Sequence, residues 1–145
     1  MPLPKNDPRL KAAELSEHEF VGDLIIHSDN NAEGLLDVYR EMAPWTALPD
    51  QPLIKPREGY CLRYDLRPQR APLVFLVFQC ELVGIFENDT LTIDPDHRGR
   101  HLSRELILAG FAQAPWKDLK NRKVTEAGAA ALRSAHEFAR ASSRT

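Results

Sequence analysis

Apolar positions along the chain change their spacing twice. Before residue 43 they fall in one short β-branched group and one helical stripe. From Tyr60 to Asp94 they form runs and alternations, and from Leu102 onward helical spacing returns. Phe20-Val21-Gly22-Asp23-Leu24-Ile25-Ile26-His27 predicts a first strand. Asn30 followed by Glu33 reads as a capping box, and Ala32, Leu35, Leu36 and Tyr39 share one face of a helix running to about Met42. Tyr60 to Leu66, Leu73 to Gln79, Leu82 to Phe86 and Thr90 to Asp94 are separated by Pro, Asn, Asp and Gly, the pattern of an antiparallel meander. The continuous run Leu73 to Phe78 predicts a central strand covered on both faces. Next comes a helix that turns Leu102, Leu106 and Ala109 to the sheet, its apolar face widened by Ile107 and Leu108. Past an irregular stretch with a short strand near Arg122 to Val124, Thr125 reads as the N-cap of a last helix reaching about Ala141. Leu132, Ala135 and Ala139 face inward there.

Two stretches lack periodicity. Residues 1–19 read as an N-terminal arm, with Asp7-Pro8 placed to start a short helix through Leu15. Residues 20–145 then form one domain. Residues 43–58 hold four of the eleven prolines and read as a loop. Trp45 lies within it, either pinning the loop to the core or closing it over a substrate as a lid.

Composition narrows the function classes. A net charge of -2 and a hydrophobic share of 43% describe an ordinary globular chain and argue against a dedicated nucleic-acid binder, whose affinity rests on neutralising phosphates. The longest apolar run is too short to span a bilayer, and Met1-Pro2-Leu3-Pro4-Lys5 has no apolar signal core, so a cytoplasmic setting without membrane is the expectation. Cys61 and Cys80 are not spaced as metal ligands.

The chemistry concentrates in Leu91 to Phe111. A strand enters a Pro-containing turn, then a basic loop, then an amphipathic helix, which places backbone N–H groups and arginines at a helix N-terminus, where a phosphate is favoured. The loop Arg98-Gly99-Arg100-His101-Leu102-Ser103, preceded by Ile93-Asp94-Pro95-Asp96-His97, resembles the [QR]-x-x-G-x-[GA] coenzyme A loop of the GNAT superfamily of acyl-CoA-dependent N-acetyltransferases. Arg98 fits the first position. His101 stands where the family has its first glycine and Ser103 where it has glycine or alanine. The Cβ of His101 would crowd the backbone approach to a diphosphate.

The resemblance implies an α/β (α+β) fold with a mixed, mainly antiparallel sheet flanked by helices. It implies acetyl-CoA or another acyl-CoA as co-substrate, an amine acceptor (a small molecule, a protein lysine or an N-terminus) and direct transfer. Leu91, Thr92 and Ile93 would lie along the acyl end of the coenzyme, and Arg98, Gly99, Arg100, His101, Leu102 and Ser103 around its diphosphate. A base is sought in Glu87 or Asp89, and the acid for the departing thiolate in His136 or Ser134, because no tyrosine follows Tyr64. Only 34 residues follow Phe111, so the C-terminal half is abbreviated relative to the family. The proline-rich loop, the arm, a second copy of the chain or another protein would complete that side. A catalytically silent module that binds coenzyme A or a protein partner is the alternative.

Overall fold

The computed structural model describes residues 3–26, 32–50, 54, 56–65, 73–87, 90–113 and 122–144. In chain order, a 3-10 turn (Pro8–Glu14) leads to α1 (Glu17–Val21), β1 (Leu24–Ile26), α2 (Ala32–Met42) and a second 3-10 turn (Pro44–Ala47). The strands β2 (Tyr60–Asp65), β3 (Leu73–Phe78), β4 (Glu81–Glu87) and β5 (Thr90–Ile93) follow. A third 3-10 turn (Pro95–His97), α3 (Leu102–Gln113), β6 (Arg122–Val124) and α4 (Glu126–Ser143) complete the order.

The class is α+β. β2 to β5 form an antiparallel sheet in sequential order, with Tyr60 opposite Phe78, Phe75 opposite Ile85 and Thr92 opposite Ile85 in the successive pairs. β1 and β6 pair in parallel, Ile25 opposite Lys123, as a separate two-stranded sheet. The single mixed sheet that was expected is not formed among the described residues: the antiparallel and the parallel pairs lie in two separate sheets.

β3 explains why its sequence is apolar at every position. Leu73, Phe75 and Val77 point to one face, where they pack with Leu36 of α2, Trp45, Leu82 and Ile85. Val74 and Leu76 point to the other, where they meet Leu106, Ile107 and Leu108 of α3 and, through them, Leu132 and Ala135 of α4. α3 is buried from Leu102 to Phe111 except for its Ser103 and Arg104 side, because the sheet covers one flank and α4 with the first 3-10 turn covers the other. Each fully buried leucine contributes about 1.5–3 kcal/mol to that packing. The approach of helix to sheet is close: a Cβ at Gly110 would meet the Phe86 ring at 2.9 Å, and one at Gly84 would meet Ile93 Cδ1 at 2.8 Å.

The N-terminal segment departs from the sequence reading. Phe20 and Val21, expected to open a strand, close α1 instead. The Ser16 hydroxyl accepts from the Glu19 N–H at 3.1 Å and the Glu19 carboxylate from the Ser16 N–H at 2.9 Å, a capping box that starts the helix. Gly22, at φ 84, ends it and leaves only Leu24–Ile26 for the strand. The expected arm is part of the core. Asp7 caps the first turn, Ala12 is fully buried, and Arg9, 4% exposed, pairs with Asp7 at 2.8 Å and with Glu105 of α3. Burial pushes the Glu105 carboxyl above its ordinary value, with Arg9 pulling it the other way. The capping box read at Asn30 and Glu33 lies outside the described side chains, while the helix it was expected to start is present as α2. Among the described residues no helix is long and apolar enough to cross a membrane, and no cluster of His, Cys, Asp and Glu could hold a metal ion.

Candidate functional site

The site begins at the open edge of β5. Asp94 N donates to Val83 O at 2.8 Å, extending the β4–β5 ladder by one pair. Antiparallel pairs alternate between mutually bonded and unbonded, so the bonded set is Val83 with Asp94, Ile85 with Thr92 and Glu87 with Thr90. The N–H and C=O groups of Leu91 and Ile93 therefore point away from β4. Consistent with this, Arg98 Nε donates to the Ile93 carbonyl at 3.0 Å.

The chain then turns sharply. The Asp94 carboxylate accepts from the Asp96 N–H at 2.9 Å and holds the Pro95–His97 turn. It also pairs with Arg40 of α2, whose Nε donates to Leu82 O at 2.9 Å, so the turn is fastened to the opposite layer. That hydrogen bond from Arg40 holds the Asp94 carboxyl below its ordinary value. Gly99 follows at φ 81 and His101 at φ 61. The position where the resemblance calls for glycine thus keeps the left-handed backbone with a histidine in it.

A cavity of about 380 Å³ lies along this path. It is lined by Leu91, Thr92 and Ile93 of β5, by His97, Arg98, Gly99 and His101 of the loop, and by Leu102 and Ser103 of α3. The far wall is the start of α4: Thr125, Ala127, Gly128 and Ala131. Two helix N-termini converge there, and both present the positive ends of their peptide dipoles. Thr125 Oγ1 accepts from Gly128 N at 3.0 Å, which ties off one of the α4 amides. The small side chains of that wall leave the space open. Among the described lining residues the charged or titratable groups are His97, Arg98 and His101, with no carboxylate, so the cavity suits an anionic or acceptor-rich ligand.

Eight of the nine residues assigned to coenzyme binding line this cavity. The exception is Arg100. Its Nη1 donates to the Tyr60 hydroxyl of β2 at 2.7 Å and its carbonyl accepts from Arg57 Nη1 at 3.0 Å, which turns it away from the cavity. The catalytic candidates are scattered. Glu87 ends β4 opposite Thr90 and is half-buried outside the cavity wall. Asp89 lies outside the described residues. His136, sought as the acid for the departing thiolate, is 3% exposed on α4, stacked on Phe20 with ring centres 5.5 Å apart, and bonded through Nε2 to the Leu15 carbonyl at 2.7 Å. Its apolar surroundings follow from the docking of the N-terminal turn, which no local pattern announced. Ser134 is exposed on the same helix.

Trp45 is likewise placed. It is 8% exposed on the sheet face that carries α2, opposite the face that carries α3 and the cavity. It pins its loop, as the first of the two readings had it, and does not cover the site. The α4 wall and Tyr60 were missed at the sequence level. Thr125 was legible as a cap, but its position across from β5 depends on how α4 packs on α3. Compared with protein-family models, with curated proteins and with solved structures, the chain finds no match.

Proposed function

We propose that the chain is a GNAT-like, acyl-CoA-dependent N-acetyltransferase acting on an amine by direct transfer. The observation that carries this reading is one continuous cavity joining the outward-facing backbone of Leu91 and Ile93 to the loop at the N-terminus of α3. A pantetheine arm is an amide-bearing extended chain, so it would add to the open edge of β5 as a further strand does, through main-chain hydrogen bonds. The diphosphate would then reach the amides of the loop and of the first turn of α3, where negative charge is favoured.

In the reaction, the neutral amine attacks the thioester carbonyl carbon, a C–N bond forms and the C–S bond breaks. The coenzyme leaves as a thiolate that takes up a proton, and the amine gives one up. The strand amides supply donors toward the oxygen on which charge develops. Glu87, at the far end of the β4–β5 hairpin from the phosphate loop, is the described candidate to receive the amine proton, directly or through water.

A second reading is favoured by one observation: the described cavity wall holds neither carboxylate nor tyrosine. A module that binds coenzyme A and transfers nothing would need neither. Calorimetric titration with acetyl-CoA and desulfo-CoA, followed by a thiol-release screen over amines, separates the two. The acetyltransferase reading expects binding and amine-dependent thiol release, whereas the silent module expects binding alone. Ligand at a hundredfold excess over Kd stabilises the native state by about 2.7 kcal/mol. No rise in melting temperature with millimolar acetyl-CoA sinks both.

A further inference from the structure

His97 is held by a network that none of the foregoing chemistry uses. The Tyr60 hydroxyl lies 2.6 Å from His97 Nδ1 and accepts from Arg100 Nη1 at 2.7 Å. Tyr60 is 6% exposed, and these are the partners of its phenol oxygen among the described residues. Arginine only donates, so the phenol oxygen is the acceptor on that side; its own single proton is then available for His97 Nδ1, the arrangement that leaves neither group short of a partner. In the neutral imidazole that places the ring proton on Nε2. The ring is fixed as well as its tautomer: His97 packs edge-on against Tyr60 and Phe78, with centres 5.6 and 5.1 Å apart. Two carboxylates precede His97 closely along the chain: Asp96 is its exposed neighbour, and Asp94 is engaged by Arg40 and by the Asp96 N–H.

We infer that Arg100 and Tyr60 form a positioning relay that presents His97 Nε2–H as a fixed donor to a phosphate oxygen of the bound ligand. This rests on the coenzyme reading above for the identity of the ligand. His97 is part of the cavity wall, and with Nδ1 occupied, Nε2 is the ring atom left to serve a ligand. Its charged companion on that wall is Arg98, which suits an oxyanion. The relay also gives Arg100 a task on the far side of the loop: it acts on the ligand through Tyr60 and His97, a polarised chain in which each hydrogen bond strengthens the next. Tyr60, on β2, becomes a positioning residue although it does not line the cavity.

The test uses the full chain and two probes, inorganic pyrophosphate and coenzyme A, with variants Tyr60→Phe, His97→Gln and His97→Ala. Phenylalanine keeps the ring packed on Phe78 and removes only the hydroxyl. Glutamine offers an amide N–H near the position of Nε2 and has no tautomer to fix. Long-range ¹H–¹⁵N NMR of the ligand-free protein should show His97 with its proton on Nε2. Tyr60→Phe should weaken both probes about fivefold, the worth of one aligned hydrogen bond, and His97→Ala at least as much. His97→Gln should stay within about twofold of wild type, and adding Tyr60→Phe to it should cost no more.

A proton on Nδ1 overturns the inference, as does a Tyr60→Phe penalty that is equal in both backgrounds. Equal affinities for His97→Ala and wild type overturn it even where Tyr60→Phe does not fold. Pyrophosphate binding with this pattern, without coenzyme A binding, keeps the relay and removes the coenzyme reading. Coenzyme A binding indifferent to every variant keeps that reading and removes the relay, and no binding of either probe removes both.

Discussion

His101 adopts φ 61, the left-handed conformation that costs a residue with a Cβ about 1–2 kcal/mol and glycine nothing. The loop therefore takes a left-handed backbone at this position without the residue that makes it easy. His101→Gly should raise stability, by at most about 1 kcal/mol once the greater freedom of glycine in the unfolded chain is deducted. Because the imidazole lines the cavity, the same change should also tighten acetyl-CoA binding. Urea unfolding and calorimetry check the two effects separately, and a weaker complex would show the imidazole to be a ligand contact, not an obstruction. Asp94 is the second residue on which the loop depends. Its carboxyl lies below the ordinary value of 3.8, chiefly through Arg40. A depressed carboxylate contributes stability that is fully present above its unfolded value and is lost as pH falls through the lower folded value. The pair is partly exposed, so the contribution is of the order of 1 kcal/mol or less. Wild type should thus exceed Asp94→Asn in urea midpoint at pH 7, and the gap should close as pH falls below about 3.8. A gap that persists at pH 2 would mean that packing, not charge, sets the turn.

Elements were legible where one local signal decided them. The meander, α3, β6 and α4 were all readable because turn residues, β-branched runs and the Thr125 cap act over a few residues. Phe20 and Val21 were misread because their β-branched and aromatic character was weighed without the capping box that Ser16 and Glu19 form just upstream. The hairpin between β3 and β4 turns through Gln79 at φ 50 and Cys80 at φ 64, positive values that favour Asn-Gly and that no glycine announced. What no element signal contained is the cavity: its walls come from β5, the loop and α4, and only the packing of α4 on α3 brings the last of these across. α3 itself lies close on the sheet. Gly110→Ala should destabilise by about 1–3 kcal/mol, because the added methyl meets the buried Phe86 ring. Gly34→Ala, at an exposed position of α2 with nothing within 4 Å of the new methyl, should instead stabilise by about 0.5–1 kcal/mol. Paired unfolding curves decide it, and effects of the same sign would contradict the packing.

At the scale of the molecule, the sheet divides the labour between its faces. One face carries α3, α4, the N-terminal turn and the cavity at the β5 edge; the other carries α2 and Trp45. Arg40 is one bridge between them, reaching from α2 to the turn that leads into the loop before α3. Trp45 takes no part in that bridge. Its ring packs with Leu36, Phe75 and Ile85, Arg63 lies 5.7 Å from the ring centre, and the Trp45 carbonyl accepts from Arg63 Nη1 at 3.0 Å. Trp45→Ala should therefore cost about 3–5 kcal/mol of stability, the usual penalty for emptying a large aromatic site. Acetyl-CoA affinity, measured per folded molecule below the shifted melting temperature, should be unchanged, because the intervening sheet keeps its register. Trp45→Phe, which refills most of the volume, should recover the larger part of the loss and serves where the alanine variant does not fold. A drop in affinity or turnover with Trp45→Phe, at nearly native stability, would instead make this loop part of the site and would overturn the separation of the two faces.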